Sequence, residues 1–100
     1  MKKIVILYTM DGCPHCTKMK KMLKENNIFY IEHNIKNYEK EYEQLVKETK
    51  NEYLPAFSLI EVLKDKDIDY NKDVNIKFLT PDDSFDDLYE AIEKVKEFLL

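Results

Sequence analysis

The chain has 100 residues, of which 44% are apolar and 36% are charged, and its formal net charge is −4. This length suits one domain, residues 1–100, with a single hydrophobic core. The net negative charge argues against a nucleic-acid partner, because proteins that bind nucleic acid carry an excess of basic side chains. No apolar run reaches the roughly 18 residues needed to cross a membrane.

The first part of the chain predicts a buried strand followed by a helix. Ile4–Tyr8 is a continuous apolar and largely β-branched run, which is typical of a central strand. A turn signal follows at Asp11-Gly12, and Pro14 fits the first position of a helix, where its missing N–H costs nothing. The pair Asn26-Asn27 is expected to end this helix.

Two more strands and a second helix are expected next. The segment Ile28–Ile35 has the composition of a strand, and apolar residues at helical spacing from Tyr38 to Thr49 predict an amphipathic helix. Pro55 precedes a third strand, Ala56–Leu63, and is tolerated at a strand entry because no ladder donor is needed there. The charged stretch Lys64–Asp73 is expected to be a solvated loop.

The chain is expected to close with a fourth strand, Val74–Leu79, and a last helix. Ser84 is a candidate cap for this helix, with Asp87 three residues on as its capping-box partner. The resulting order is β-α-β-α-β-β-α. The first two strands, joined through a helix, should be parallel, and the last two should form an antiparallel hairpin within a mixed four-stranded sheet.

Both cysteines of the chain, Cys13 and Cys16, lie at the start of the first helix, after the first strand. Unpaired N–H groups at a helix N-terminus favour an anion, so the pKa of the Cys13 thiol should lie below its ordinary value. His15 between them should favour the thiolate further. Cys16, one turn along, should be the less exposed sulfur and should resolve a mixed disulfide formed on Cys13.

Metal binding is the main competing interpretation of the cysteine pair. A closed zinc site needs four nitrogen or sulfur ligands, and only His15 and His33 could add to the two cysteines. His33 is expected on the solvent side of its strand, so no metal ligand is assigned within one chain. A metal or iron–sulfur module with ligands shared across a dimer remains an alternative.

Three segments together resemble the glutaredoxin family of the thioredoxin-like superfamily. They are the strand and helix start "IVILYTMDGCPHCTKMKKML", then "YLPAF", and then "SFDDLYEAI". The resemblance implies the thioredoxin-like α/β fold of glutaredoxins, with helices flanking the mixed sheet. It also implies a cis proline at Pro55 that faces Cys13, Pro14, His15 and Cys16.

The resemblance further implies a groove that binds glutathione as a co-substrate, with no tightly bound cofactor. Leu54 would pair with the cysteinyl backbone, and Phe85 and Asp86 would meet the γ-glutamyl end. Tyr8 and Tyr53 are expected near the site. Met10 stands where the family commonly has a lysine.

The sequence therefore predicts a monomeric thiol–disulfide oxidoreductase that reduces protein or glutathione mixed disulfides. The apolar run at the start of the chain is short and lacks a small-residue cleavage site, so we expect a cytoplasmic protein. Within the same chemistry, the alternative is a thioredoxin-like protein reductant that receives electrons from a flavin reductase, for example in the service of a ribonucleotide reductase.

Overall fold

The computed structural model describes residues 2–100. Seven elements follow one another in the predicted order β-α-β-α-β-β-α. They are β1 (Lys2–Thr9), α1 (Pro14–Glu25), β2 (Ile31–Asn34), α2 (Glu39–Thr49), β3 (Ala56–Val62), β4 (Val74–Leu79) and α3 (Leu88–Leu99). The prediction of one domain over residues 1–100 includes Met1, which lies outside the described residues, and it stays a prediction.

The four strands form one mixed sheet in the order β2-β1-β3-β4. β1 is parallel to β2, as predicted for two strands joined through a helix. β3 is antiparallel to β1 and also to β4, so the predicted hairpin is confirmed. The central position of β1 places the chain that follows Thr9 at the middle of one sheet edge.

Side chains of β1 alternate between two hydrophobic clusters, which explains why its sequence is continuously apolar. Val5 and Leu7 pack with residues of α1 and α3 on one face. Ile6 and Tyr8 pack with Leu45 of α2 on the other face. A strand buried on both faces has no solvent side that would require polar residues. None of the helices within residues 2–100 is long and apolar enough to span a lipid bilayer.

β2 is shorter than the predicted strand Ile28–Ile35, because α1 ends in a Schellman turn and Ile28 belongs to this turn. Asn27 adopts a left-handed φ of 56°. The N–H of Ile28 donates to the carbonyl of Leu23, and both side chains enter the core beside α1. This pairing is the hydrophobic contact that accompanies such a C-cap. Regular pairing with β1 begins only at Ile31.

Asp87, and not Ser84, caps α3, so the predicted cap was wrong. The Asp87 carboxylate accepts a 2.8 Å hydrogen bond from the N–H of Glu90. The Ser84 hydroxyl instead accepts the N–H of Thr80 at 3.1 Å, within a turn that precedes the helix. This turn delays the start of α3 to Leu88.

The charged segment Lys64–Asp73 is a surface loop between β3 and β4, as predicted. Its last residue differs from the rest, because Asp73 is buried. The Asp73 carboxylate accepts the N–H of Asp69 at 2.9 Å and lies 3.5 Å from the ammonium of Lys64. These contacts hold the two ends of the loop together, at the end of the sheet opposite the β1–α1 turn.

Candidate active site

A disulfide between Cys13 and Cys16 lies at the carboxyl end of β1, where α1 begins. Gly12 allows the chain to turn there, with a φ of 73° that a side chain would disfavour. Cys13 is extended, with φ −99° and ψ 103°, and it is the N-cap of α1, while Pro14 is the first helical residue. The sequence prediction for this turn is confirmed.

The N-cap sulfur satisfies a helix donor that would otherwise be unpaired. The N–H of Cys16 donates to Cys13 Sγ at 3.1 Å, and the Cα atoms of the pair are 5.2 Å apart. A polar side-chain atom commonly has this role at a helix N-terminus. Sulfur in this position lies where the helix dipole stabilises negative charge.

The two cysteines differ in their exposure to solvent. Cys13 is half-buried, whereas only 2% of Cys16 is exposed. The predicted asymmetry between the two sulfurs is therefore present. An incoming disulfide can approach Cys13, whereas Cys16 is screened by the protein.

The Leu54–Pro55 peptide bond is cis, as the family resemblance implied. Asn51 connects this loop to the segment before α3. Its side-chain amide donates to the carbonyl of Pro81 at 2.7 Å and to the carboxylate of Asp83 at 3.1 Å. Asn51 is buried and was not singled out from the sequence. It tethers the cis-proline loop to the segment before α3.

A groove with a volume of about 310 Å³ lies beside the disulfide turn. Three parts of the chain line it: α1, the loop with the cis proline, and the segment that leads into α3. Its residues are His15, Lys18, Leu54, Pro55, Pro81, Phe85, Asp86, Asp87, Leu88 and Tyr89. The structure thus brings together five predicted site residues in one groove: His15, Leu54, Pro55, Phe85 and Asp86.

A second cleft lies on the other side of Leu54, with a volume of about 520 Å³. Leu54 borders both clefts. Met10, which stands where the family commonly has a lysine, lines this second cleft together with Ile35 and Val46. The charged residues that line this cleft are Lys47, Glu43 and Glu52, so it contains one cation and two carboxylates.

Neither predicted tyrosine lines the groove. Tyr8 is buried on the α2 face of the sheet, where its hydroxyl lies 2.6 Å from Glu41 and 3.0 Å from Ser58. Burial, followed by the hydrogen bond to Glu41, raises the pKa of Tyr8 well above its ordinary value. Tyr53 lies next to the cis-proline loop with 66% of its surface exposed.

His33 does not face solvent, so that expectation was wrong. Its Nδ1 lies 2.6 Å from the Glu41 carboxylate that also accepts the Tyr8 hydroxyl. The imidazole stacks on the ring of Tyr38, with centroids 3.7 Å apart. His33 therefore helps to attach α2 to the sheet. Among residues 2–100, no group of three or more histidine, cysteine or acidic side chains is arranged to hold a metal ion.

Comparison with known sequences shows similarity over a stretch that contains the cysteine pair and runs from β1 to the start of β3. The sequence profile of the glutaredoxin family matches residues 5–58, just over half of the chain. The proteins named Glutaredoxin 1 from Rickettsia felis and Rickettsia conorii are each 37% identical to it over 46 residues. These matches span 45% of the chain and 45% of each relative, so less than half the length of the relatives is matched.

Comparison with solved structures extends over almost the whole chain. The thioredoxin-like protein BC3987 is 22% identical, with a TM-score of 0.51 over 94% of this chain and 97% of that one. A thioredoxin from Thermus thermophilus is 11% identical, with a TM-score of 0.50 over 99% of this chain and 75% of that one. The thioredoxin-like fold predicted from the sequence is confirmed.

Proposed function

The chain belongs to the glutaredoxin family, and from this membership we propose that it is a thiol–disulfide oxidoreductase that uses Cys13 as nucleophile and Cys16 as resolving thiol. The observation that carries the proposal is the hydrogen bond from the Cys16 N–H to Cys13 Sγ. In the reduced protein the same donor stabilises a thiolate, and the thiolate is the form that attacks disulfides.

The proposed reaction has two exchange steps. The Cys13 thiolate attacks one sulfur of a substrate disulfide, forms a mixed disulfide and releases the other sulfur as a thiolate. The Cys16 thiol then loses its proton and attacks Cys13 Sγ, which releases the second substrate sulfur as a thiolate. Counted from the dithiol, the protein loses two electrons and two protons, one proton when Cys13 ionises and one from Cys16, and these protons convert the two released thiolates into two thiols.

The surroundings of the disulfide support a role for the neighbouring residues. Pro14 fixes the start of α1, and in this first turn the N–H of Cys16 donates to Cys13 Sγ. His15 lies between the cysteines and lines the groove, where it can interact with the departing thiolate. Pro55 lies across the same groove and gives it a rigid apolar wall.

The proposed substrates are glutathione mixed disulfides and protein disulfides, with glutathione as the co-substrate that restores the dithiol. A groove of about 310 Å³ is at the lower end of the size range of small-molecule sites. Within it, Leu54, Phe85 and Asp86 are the proposed contacts for the glutathionyl group. We propose that the protein acts as a cytoplasmic monomer.

Replacement of each cysteine tests the assignment. Cys13→Ser should abolish disulfide reduction, because no nucleophile remains. Cys16→Ser should still attack the substrate and accumulate a mixed disulfide on Cys13, visible by mass spectrometry. Full activity of Cys13→Ser would contradict the proposed nucleophile.

The source of electrons is tested separately with the native chain. Turnover with glutathione and glutathione reductase should exceed turnover with a flavin-dependent thioredoxin reductase. The reverse result would assign the chain to the thioredoxin-like protein reductants.

A further inference from the structure

The cleft on the far side of Leu54 continues into a neighbouring hollow with a volume of about 460 Å³. The two share four lining residues: Met10, Ile35, Tyr42 and Glu43. They therefore form one continuous depression between α2 and the β1–α1 turn, which we call the α2 cleft. It is separate from the groove beside the disulfide that the glutathionyl group is proposed to occupy.

The floor of the α2 cleft is apolar. Ile35 and Leu54 pack against the hydrophobic cluster beneath α2, while Met10 is 49% exposed. The Tyr42 hydroxyl donates to the main-chain carbonyl of Glu52 at 2.6 Å, which ties α2 to the cis-proline loop and leaves the tyrosine ring as the part of Tyr42 available for contacts. An exposed methionine adapts its shape to different partner side chains and is common on surfaces that bind several polypeptides.

The rim of the α2 cleft is acidic. Four carboxylates and two ammonium groups line it: Asp11, Glu39, Glu43 and Glu52 against Lys36 and Lys47. All six residues are exposed. Within the described residues 2–100, no lysine forms an ion pair with any of these four carboxylates. The rim therefore carries an excess of negative charge that a cationic partner can compensate.

The α2 cleft lies within reach of a polypeptide that is attacked by Cys13. Met10 precedes Cys13 by three residues, so their Cα atoms lie within about 11 Å of each other. An extended peptide advances about 3.4 Å per residue. A residue about three positions from the substrate cysteine can therefore lie over Met10, whereas a small disulfide ends before it reaches the cleft.

We propose that the α2 cleft is a docking surface for protein substrates, and that it selects disulfide-bearing polypeptides with an apolar residue and a lysine or arginine close to the reactive cysteine. The apolar side chain packs on Met10, and the cationic side chain faces Glu43 and Glu52. An apolar centre with a polar rim is the usual composition of a protein–protein interface. The inference rests on the proposed function and adds to it the kind of protein substrate.

The test uses the pre-reduced protein and mixed disulfides of three short cysteine peptides with thionitrobenzoate. The first peptide has a leucine three residues from the cysteine and then two lysines, the second has glutamates in place of the lysines, and the third has serine in place of the leucine. Each is made with this segment before and after the cysteine. Attack of the Cys13 thiolate on the peptide sulfur forms a protein–peptide disulfide and releases the coloured thiolate, which reports the second-order rate constant.

Each rate constant is divided by that of the same peptide with dithiothreitol, which removes differences in intrinsic reactivity. In at least one orientation, the lysine peptide should react at least about threefold faster than the glutamate peptide at low salt. This ratio should fall as the salt concentration rises, because salt screens exposed charges. In the same orientation, the serine peptide should react more slowly than the leucine peptide with the same lysines.

Matched variants separate a contact in the cleft from a general change of charge. Glu43→Gln should lower the rate constant of the lysine peptide about two- to fivefold, as expected for an exposed ion pair, and should not lower that of the glutamate peptide. Glu48→Gln removes the same charge from an exposed position of α2 outside the cleft, and it should change both by less than a factor of about 1.5. Met10→Ser should reduce the advantage of leucine over serine.

Hydroxyethyl disulfide, which is uncharged and too small to reach the cleft, distinguishes failure of this inference from failure of the proposed function. Equal normalised rates for the lysine and glutamate peptides in both orientations, or equal effects of Glu43→Gln and Glu48→Gln, would overturn the docking role while reaction with hydroxyethyl disulfide persists. A native protein that reacts neither with the peptides nor with hydroxyethyl disulfide would overturn the proposed function itself.

Discussion

The backbone N–H of Cys16 lies 3.1 Å from Cys13 Sγ and donates a hydrogen bond to it. Cys16 thereby acts on Cys13 through its main chain as well as through its sulfur. The arrangement follows from local sequence, because Pro14 starts the helix and Cys16 is its third residue. Nucleophile and resolving thiol are thus positioned by a single helical turn.

The two thiols of the reduced protein should differ in their reactivity toward an alkylating reagent. Cys13 is half-buried and accepts a helix donor, whereas Cys16 is only 2% exposed. Under limiting iodoacetamide at neutral pH, we expect Cys13 to react at least about tenfold faster. Peptide mass mapping measures the ratio, and equal labelling or preferential labelling of Cys16 would contradict the assigned roles.

Asn51 should be important for the integrity of the groove. Its buried amide joins the cis-proline loop to Pro81 and Asp83. Asn51→Ala should lower the free energy of unfolding by about 1–3 kcal/mol, because the partner groups lose their donor. Urea denaturation measures this loss. Asn37→Ala, at an exposed position, is the matched control and should change stability by less than about 0.5 kcal/mol.

At acidic pH, the stability of the protein should depend on the charge of Glu32, a residue of β2 whose carboxylate pairs with Lys20 of α1. The Thr9 hydroxyl, which donates to Glu32 at 2.7 Å, and then Lys20 hold the pKa of Glu32 below its ordinary value. Because the folded pKa is the lower one, the stabilisation is complete above the unfolded pKa, about 4.3 for glutamate. It is lost as the pH falls through the folded value.

Thr9→Val tests this acid dependence, since it removes the main donor to Glu32. The difference in unfolding free energy between pH 7 and pH 3 should be smaller in Thr9→Val than in the native protein. Thr49→Val is the control, because the hydrogen bonds of the Thr49 hydroxyl within residues 2–100 are to main-chain groups of Leu45 and Asn51 and not to a carboxylate. An unchanged pH dependence in Thr9→Val would show that Glu32 is not stabilised by Thr9.

Features governed by short-range sequence signals could be predicted. The continuous apolar run of β1 requires a strand covered on both faces, and the turn at Gly12 followed by Pro14 fixes where α1 begins. The cis proline followed from the family resemblance of Tyr53-Leu54-Pro55. These features depend on neighbouring residues or on a motif.

Features that depend on competition between similar residues or on distant contacts were missed. Ser84 and Asp87 are both good N-cap residues, and only the turn that occupies the Ser84 hydroxyl decides between them. Asn51 bonds residues 30 and 32 positions away, for which a single sequence offers no local pattern. His33 lies on a short strand, and its partner Glu41 comes from the helix that covers it.

The charge state of the Cys13 sulfur in the reduced protein is the property on which the proposed chemistry depends. The thiolate absorbance near 240 nm of Cys16→Ser, in which Cys13 is the only thiol, can be followed from pH 4 to pH 10. We expect the thiolate to be the major form already at pH 7, because the helix N-terminus stabilises it. A signal that develops only above pH 8, as for an ordinary cysteine, would contradict it.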